Sequence, residues 1–422
     1  MASKPLTSNP KKIVVIGKKL SASCLRRSAD WRNIGGGIIG CSTAYYLTRH
    51  ALYNPKVDSI VLLEASRIAG GASGKGGGFI ANWATPKSLA PLSFKLHNQL
   101  AKEYDGAKVW GHRNVYAAEV KLQGRNLPDN QLIAGDSSHL NAKFPSALDW
   151  LLPGSIQKYD EIGTPSNSGQ VNPLMFTTTL AQLAEGKGTK IILGSASQIN
   201  YEGDTVSSVT YIRDNETHTI MATDVIVAAG PWTPKLLPKV RLLTPRGHSV
   251  IVKPSRALSP YILFPNIEPA PNSTFKNLIS PDIYPRPPDQ VHEFDTVYSS
   301  GPDSYEVPLP ADTDSVKVDE EKCSEVWTAI SSVSQEIHDG KVIAKQACYK
   351  PQIRKHEETE EVGPMVGPMG PKGLWIATGH DEWGIQNAPA TGLVLSEMIF
   401  DGRVHSADCE GLDPKHLLSN LS

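Results

Sequence analysis

No surplus of charge, no long apolar run and no cysteine pattern is found in this chain, and each absence excludes something. Lys and Arg total 42 and Asp and Glu total 43, a net charge of −1. Nothing in that balance draws the chain to nucleic acid or to an anionic membrane. No run approaches the roughly eighteen apolar residues of a transmembrane helix. The polar stretch Met1 to Lys12 has no apolar core of the kind a secretory signal needs, so a cytoplasmic protein is expected. The five cysteines (Cys24, Cys41, Cys323, Cys348, Cys409) are odd in number and scattered. That argues against a disulfide framework or a zinc site, and for a reducing compartment. No internal repeat is evident.

What is present is a folded chain of 422 residues, 40% hydrophobic and 20% charged, long enough for two domains. Ile13-Val14-Val15-Ile16 reads as a buried strand, Ile38 to His50 as a helix, and Ser59 to Leu63 as a second buried strand ending at Glu64. Strand, glycines, helix, strand and acid form the order of a nucleotide-binding βαβ unit. Further on, Leu174 to Ala184, Glu320 to His338 and Ala390 to Phe400 read as helices. Lys190 to Leu193, Asp224 to Ala228 and Leu374 to Ala377 read as strands. Lys253 to Pro310, with short alternating runs between Pro, Ser and Asp, predicts an antiparallel sheet with long loops.

Gly35-Gly36-Gly37-Ile38-Ile39-Gly40 matches G-x-G-x-x-G. The glycines admit a pyrophosphate to the backbone, and the helix behind them presents free N–H groups and a partial positive charge. Glu64 stands where such folds place an acid for a ribose. Yet Lys18 to Ile34 separates the first strand from these glycines. Removing Lys18 to Gly35 leaves Ile-Val-Val-Ile-Gly-Gly-Gly-Ile-Ile-Gly, an uninterrupted strand and fingerprint that begins at Gly17. The insertion is in frame. Gly17-Lys18 can be encoded GGTAAG and Ile34-Gly35 ATAGG, the marks of a translated, unspliced intron; a true loop insertion is the rival reading.

Three more segments carry a resemblance. Gly70-Gly71-Ala72-Ser73-Gly74-Lys75-Gly76-Gly77-Gly78 is a glycine loop able to nest anions. Val225 to Val227 followed by Ala228-Ala229-Gly230-Pro231-Trp232 is a strand and turn. Gly363 to Gly367 precedes Ala377-Thr378-Gly379-His380-Asp381-Glu382-Trp383-Gly384-Ile385-Gln386. Together with the interrupted fingerprint they resemble the FAD-dependent amine and amino-acid oxidoreductases related to D-amino-acid oxidase, glycine oxidase and sarcosine oxidase, and closest a fungal branch of that superfamily.

The resemblance implies an α/β protein. Its discontinuous, Rossmann-like FAD-binding domain of the GR2 type would take residues 1–82, 165–232 and 345–422. An α+β substrate domain on an antiparallel sheet would take residues 83–164 and 233–344. It implies FAD as cofactor, a small amine or amino acid as substrate, and hydride transfer from a C–N unit to the flavin. FAD contacts are expected from Gly17, Gly35, Gly37, Ile38, Gly40, Glu64, Ala72, Ser73, Lys75, Gly77, Gly78, Ala229, Gly230, Trp232, Gly379, His380, Gly384, Ile385 and Gln386. His380, Trp383 and Arg286 are the candidates at the substrate, His380 because histidine titrates near neutral pH. Tyr284 is a further candidate to line the pocket. Relatives form a thioether from a cysteine in the strand holding Cys348; a small buried thiol is the plainer reading. Gln386 stands where sarcosine oxidases carry a carboxylate-anchoring lysine, which speaks against a sarcosine-like substrate. A rival class is a fold retained for binding or trafficking without turnover.

Overall fold

The computed structural model describes residues 10–17, 36–126, 144–271, 273, 275–354 and 363–419. The interruption at 18–35, including Gly35, lies outside the described residues.

Six strands from widely separated parts of the chain form one sheet. Their spatial order is Met365–Pro368, Leu374–Thr378, Asp224–Val227, Lys12–Ile16, Ser59–Glu64 and Lys190–Leu193. All pairs are parallel except the edge pair of Met365–Pro368 with Leu374–Thr378. Both faces are covered, which is why these strands read as continuous apolar runs. Ile13, Val15, Ile60, Leu62 and Ile226 face the helices Ile38–Leu47, Pro173–Glu185 and Gly384–Phe400. Val14, Ile16, Val61, Leu63, Val225 and Val227 face the other way, into a core shared with a three-stranded antiparallel sheet, Ser195–Glu202, Thr205–Arg213 and Glu216–Met221. A fully buried side chain such as Leu62 contributes about 1.5–3 kcal/mol.

The helix expected over Ala390 to Phe400 begins earlier, at Gly384. Pro389 does not stop it, although proline lacks the N–H that would bond the carbonyl four residues back. That carbonyl belongs to Ile385, and His97 Nε2 lies 3.0 Å from it. Burial holds the His97 ring well below the ordinary histidine pKa, at about 3, so it is a neutral donor. The helix over Glu320 to His338 is in fact two, Glu320–Ser331 and Gln335–His338, with Ser334 capping the second.

A seven-stranded sheet forms the second unit, in the order Lys341–Tyr349, Arg246–Lys253, Thr296–Ser300, Asp282–Arg286, Tyr261–Glu268, Tyr116–Gln123 and Ile156–Gly163. As expected, its strands pair antiparallel, with one exception: Tyr261–Glu268 and Tyr116–Gln123 run parallel. The two are separated by a long stretch of chain, which is what a parallel pair requires. Val250, Val252, Ile283, Leu263 and Val297 pack under the helix Glu320–Ser331. The alternate residues Ile251, Tyr284, Tyr298 and Phe264 turn to the opposite face, toward Phe79 and Trp383.

Candidate functional site

The two flanks of the interruption meet at one side chain. Gly17 N–H donates to the Leu63 carbonyl at 2.6 Å, and Gly36 N–H donates to Glu64 Oε2 at 2.9 Å. A Cβ added at Gly17 would sit 2.0 Å from that same Oε2, so a larger residue would displace the carboxylate. Glu64 Oε1 accepts from Ser66 N–H at 3.1 Å. Ser66 Oγ also donates to Glu64 Oε1 at 3.3 Å, so the carboxylate is held firmly at the edge of the floor. The helix Ile38–Leu47 opens over this floor, and Ser73 Oγ accepts from Ile38 N–H at 2.9 Å. The first turn of a helix leaves N–H groups without intrahelical partners and a partial positive charge. Gly40 lies behind the site, with its Cβ position 3.2 Å from Val15 Cγ1, and so seats the helix on the strand.

The glycine loop 70–78 runs along the side. Gly78 has φ +88, and a Cβ there would meet the Val171 carbonyl oxygen at 2.0 Å. Arg286 reaches back to this loop and donates to the carbonyls of Gly76 and Gly77 while its guanidinium lies 4.6 Å from the Tyr298 ring centre. Burial lowers its pKa to about 10, still a cation at neutral pH. Lys75 donates to the Ala347 carbonyl at 2.8 Å, beside Cys348. Across the cleft, Thr233 Oγ1 donates to the Gly230 carbonyl at 2.8 Å and lies 3.1 Å from Thr378 Oγ1, tying the turn after Asp224–Val227 to the end of Leu374–Thr378. Trp232 Nε1 donates to the Pro310 carbonyl at 2.9 Å.

These parts border a single cavity of about 450 Å³. Gly17, Gly37, Ile38, Glu64, Ala72, Ser73, Gly77, Gly78, Ala229, Gly230, Trp232, Cys348, His380, Trp383, Gly384 and Ile385 all line it. Gly40, Lys75, Arg286, Gly379 and Gln386 are not among the lining residues. Gln386 is buried behind the wall, accepting from Ala81 N–H and donating to the Ala90 carbonyl. Arg286 is spent on the loop carbonyls. His380 borders the cavity, but the titration expected of it does not occur near neutral pH. Burial lowers its pKa to about 3, and Nε2 is 3.1 Å from Thr391 Oγ1.

Sequence reasoning missed the far end. Phe79, Phe264 and Tyr298 line the cavity beside Tyr284 and Trp383, along with Asp282, Asp303, Asp381, Glu382 and Lys350. Ser300 Oγ donates to Asp282 Oδ2 at 2.9 Å. Burial, with Glu382 nearby, raises the Asp282 carboxyl to about 6, against the opposing effect of Ser300 and Lys350. Lys350 Nζ is 2.7 Å from Asp303 and 3.8 Å from Glu382. Burial alone would lower its pKa, but Asp303, Asp381 and Glu382 hold it above the ordinary lysine value. Strand alternation carried a signal, since Asp282, Tyr284 and Arg286 are two apart on one strand.

The residues present fit an FAD. The cavity runs unbroken from Glu64 and Gly37 to Gly384. At Gly17, Gly77 and Gly78 a Cβ would fall about 2 Å from a neighbouring atom, so the wall is pared to backbone.

The comparisons agree. The model of the DAO family, described as FAD dependent oxidoreductase, matches residues 34–398. C1F5.03c of Schizosaccharomyces pombe is 32% identical, covering 90% of this chain and 97% of its own. TDA3 of Saccharomyces cerevisiae is 29% identical, covering 90% and 93%. The names of both yeast proteins go no further than a candidate oxidoreductase. Among solved structures, glycine oxidase from Geobacillus kaustophilus superposes with a TM-score of 0.66 at 16% identity, covering 96% of this chain and 98% of that one. L-proline dehydrogenase from P. horikoshii gives 0.66 at 15%, covering 98% and 99%. No helix among the described residues is long and apolar enough to cross a membrane. The chain belongs to the DAO family of FAD-dependent oxidoreductases, with FAD as its cofactor.

Proposed function

We propose that this oxidoreductase oxidises the C–N bond of a small amine or amino acid, with the six-stranded sheet carrying the cofactor and the seven-stranded sheet the substrate. The observation that supports this reading most is the single cavity that continues from the dinucleotide floor at Gly37 and Glu64 into an aromatic chamber bounded by Phe79, Phe264, Tyr284, Tyr298 and Trp383. The similar structures named above are, by name, enzymes of glycine and L-proline, which are amino acids. FAD, when bound, would supply the acceptor for a hydride from the carbon next to a neutral amine nitrogen; the proton released from nitrogen would pass to solvent, and water would then hydrolyse the imine to a carbonyl compound and the free amine or ammonia.

The chain's own residues bind, orient and exclude water. Glu64 would hold the ribose and the Ile38 turn the pyrophosphate. The loop 70–78, pinned by Arg286, and the Gly384 helix would border the ring. A helix N-terminus there favours negative charge developing on the group it faces. The neutral His380 ring holds Thr391 and moves no proton near neutral pH. The aromatic chamber strips water from the reacting carbon.

The test is anaerobic addition of amines and amino acids to the purified flavoprotein. Bleaching of the flavin absorbance by at least one supports the reading. A coloured protein that no amine or amino acid reduces, while another class of donor such as an alcohol does, overturns it.

A further inference from the structure

We propose that the substrate is a cationic amine without a carboxylate, held as its ammonium inside the aromatic chamber with Asp282 as counter-ion. This rests on the C–N oxidation reading and narrows its substrate class.

The chamber has the composition of an ammonium site. The Phe79 ring centre lies 5.5 Å from that of Phe264 and 6.3 Å from that of Trp383. Tyr284 continues the wall, 5.9 Å from Phe264 and 5.7 Å from Tyr298. All of these rings border the cavity. Aromatic faces attract an ammonium within about 6 Å, more strongly where water is excluded. Alternation along the strand Asp282–Arg286 places Asp282 and Tyr284 on the same side, and Ser300 fixes the carboxylate from the adjoining strand.

The same chamber repels a carboxylate. Asp282, Asp303, Asp381 and Glu382 line it, against Lys350 as the lining cation and the Arg286 guanidinium behind the Tyr298 ring. Lys350 is already engaged with Asp303 and Glu382. Arg286 is engaged with the Gly76 and Gly77 carbonyls. Arg67 borders the cavity at the dinucleotide end, near the Gly70 loop and 3.7 Å from Asp314. Gln386 is buried behind the wall. An amino acid would therefore bring its carboxylate among like charges with no guanidinium among the lining residues there to receive it.

The experiment separates recognition from chemistry. Benzyltrimethylammonium and phenylacetate are titrated calorimetrically into the FAD-loaded protein; benzylamine and phenylglycine are then added anaerobically while flavin absorbance is followed. The proposal expects the quaternary ammonium to bind at least tenfold tighter than phenylacetate. Asp282→Asn should weaken the ammonium by about 10–100-fold, the range for removing a charge-assisted partner, with unchanged flavin content. Glu382→Gln, at a more exposed position, should weaken it less, which keeps the test usable if the first variant folds poorly. Phenylacetate binding tighter than the ammonium, or an ammonium affinity unmoved by both variants, overturns the proposal even if the flavin is bleached. Tight ammonium binding with no bleaching by any amine upholds the recognition and sinks only the C–N oxidation reading.

Discussion

The two ends of the cleft are made of different material. At the dinucleotide end the wall is mostly backbone: a helix terminus, and glycines at 17, 37, 77 and 78 where a side chain would collide or crowd. At the substrate end it is done by side chains: five aromatic rings, Asp282, Glu382 and a Lys350–Asp303 pair. A dinucleotide is the same in every relative, so its cradle can be written as glycine spacing. A substrate differs, so its chamber is written in side chains on several strands. The teaching is that one end constrains sequence locally and the other only through the fold.

The contrast can be broken at the backbone end first. Gly78→Ala combines a positive φ with a 2.0 Å approach to the Val171 carbonyl. Positive φ in a residue with a Cβ costs about 1–3 kcal/mol before any clash is counted. We expect loss of flavin from the purified protein and a fall in Tm of at least several degrees, read by absorbance and thermal melting. Arg286→Met comes next. It leaves the half-buried Gly76 and Gly77 carbonyls without their charged donor, at a cost of about 1–3 kcal/mol. FAD affinity should drop by about tenfold or more, with amine affinity of the remaining holoprotein little changed.

Deleting Lys18 to Gly35 sharpens the same end. Gly17 and Gly36 already meet at Glu64 Oε2, so joining them asks little of the described fold and restores G-x-G-x-x-G from Gly17. The deletion should fold and bind FAD at least as tightly as the full chain, by fluorescence titration. A shortened protein that cannot hold flavin would favour a true loop. Sequencing of mature transcripts checks the intron reading independently.

How much could be read beforehand follows from the same division. Gly37, Glu64, the 70–78 loop, Ala229 to Trp232 and Gly384 are contiguous motifs, and each borders the cavity. Asp282, Phe264, Tyr298 and Lys350 carry no spacing rule, because strand pairing, not chain order, brings them together. Tyr284 was visible in its Pro-flanked strand; Asp282, two residues earlier on the same face, was equally within reach of period-two reasoning. Arg286 was expected at the substrate. Only the fold reveals that it clamps a loop. The Gly384 helix was begun six residues late because Pro389 signals a break, and its compensation by His97 comes from a distant part of the chain.

The smallest effect concerns pH at the substrate end. Asp282 must be ionised to pair with an ammonium, and burial with Glu382 raises its pKa to about 6, while Ser300, Lys350 and Tyr284 oppose the rise. A raised carboxyl keeps its proton to higher pH, so kcat/KM for an amine should fall as pH drops through about 6. Glu382→Gln removes a raising influence and should move that limb to lower pH by a few tenths of a unit, a shift worth well under 1.4 kcal/mol. A pH–rate profile without an acid limb would contradict the role of Asp282.

The central claim is that Glu64, at the far end from the substrate chamber, belongs to the same FAD cradle. Equilibrium titration of FAD into the native protein and into Glu64→Gln, followed by flavin fluorescence, tests it directly. The account predicts one FAD per chain and an affinity about 10–100-fold weaker in the variant, as for loss of charge-assisted hydrogen bonds. An unchanged affinity in Glu64→Gln, or a stoichiometry other than one, would contradict it.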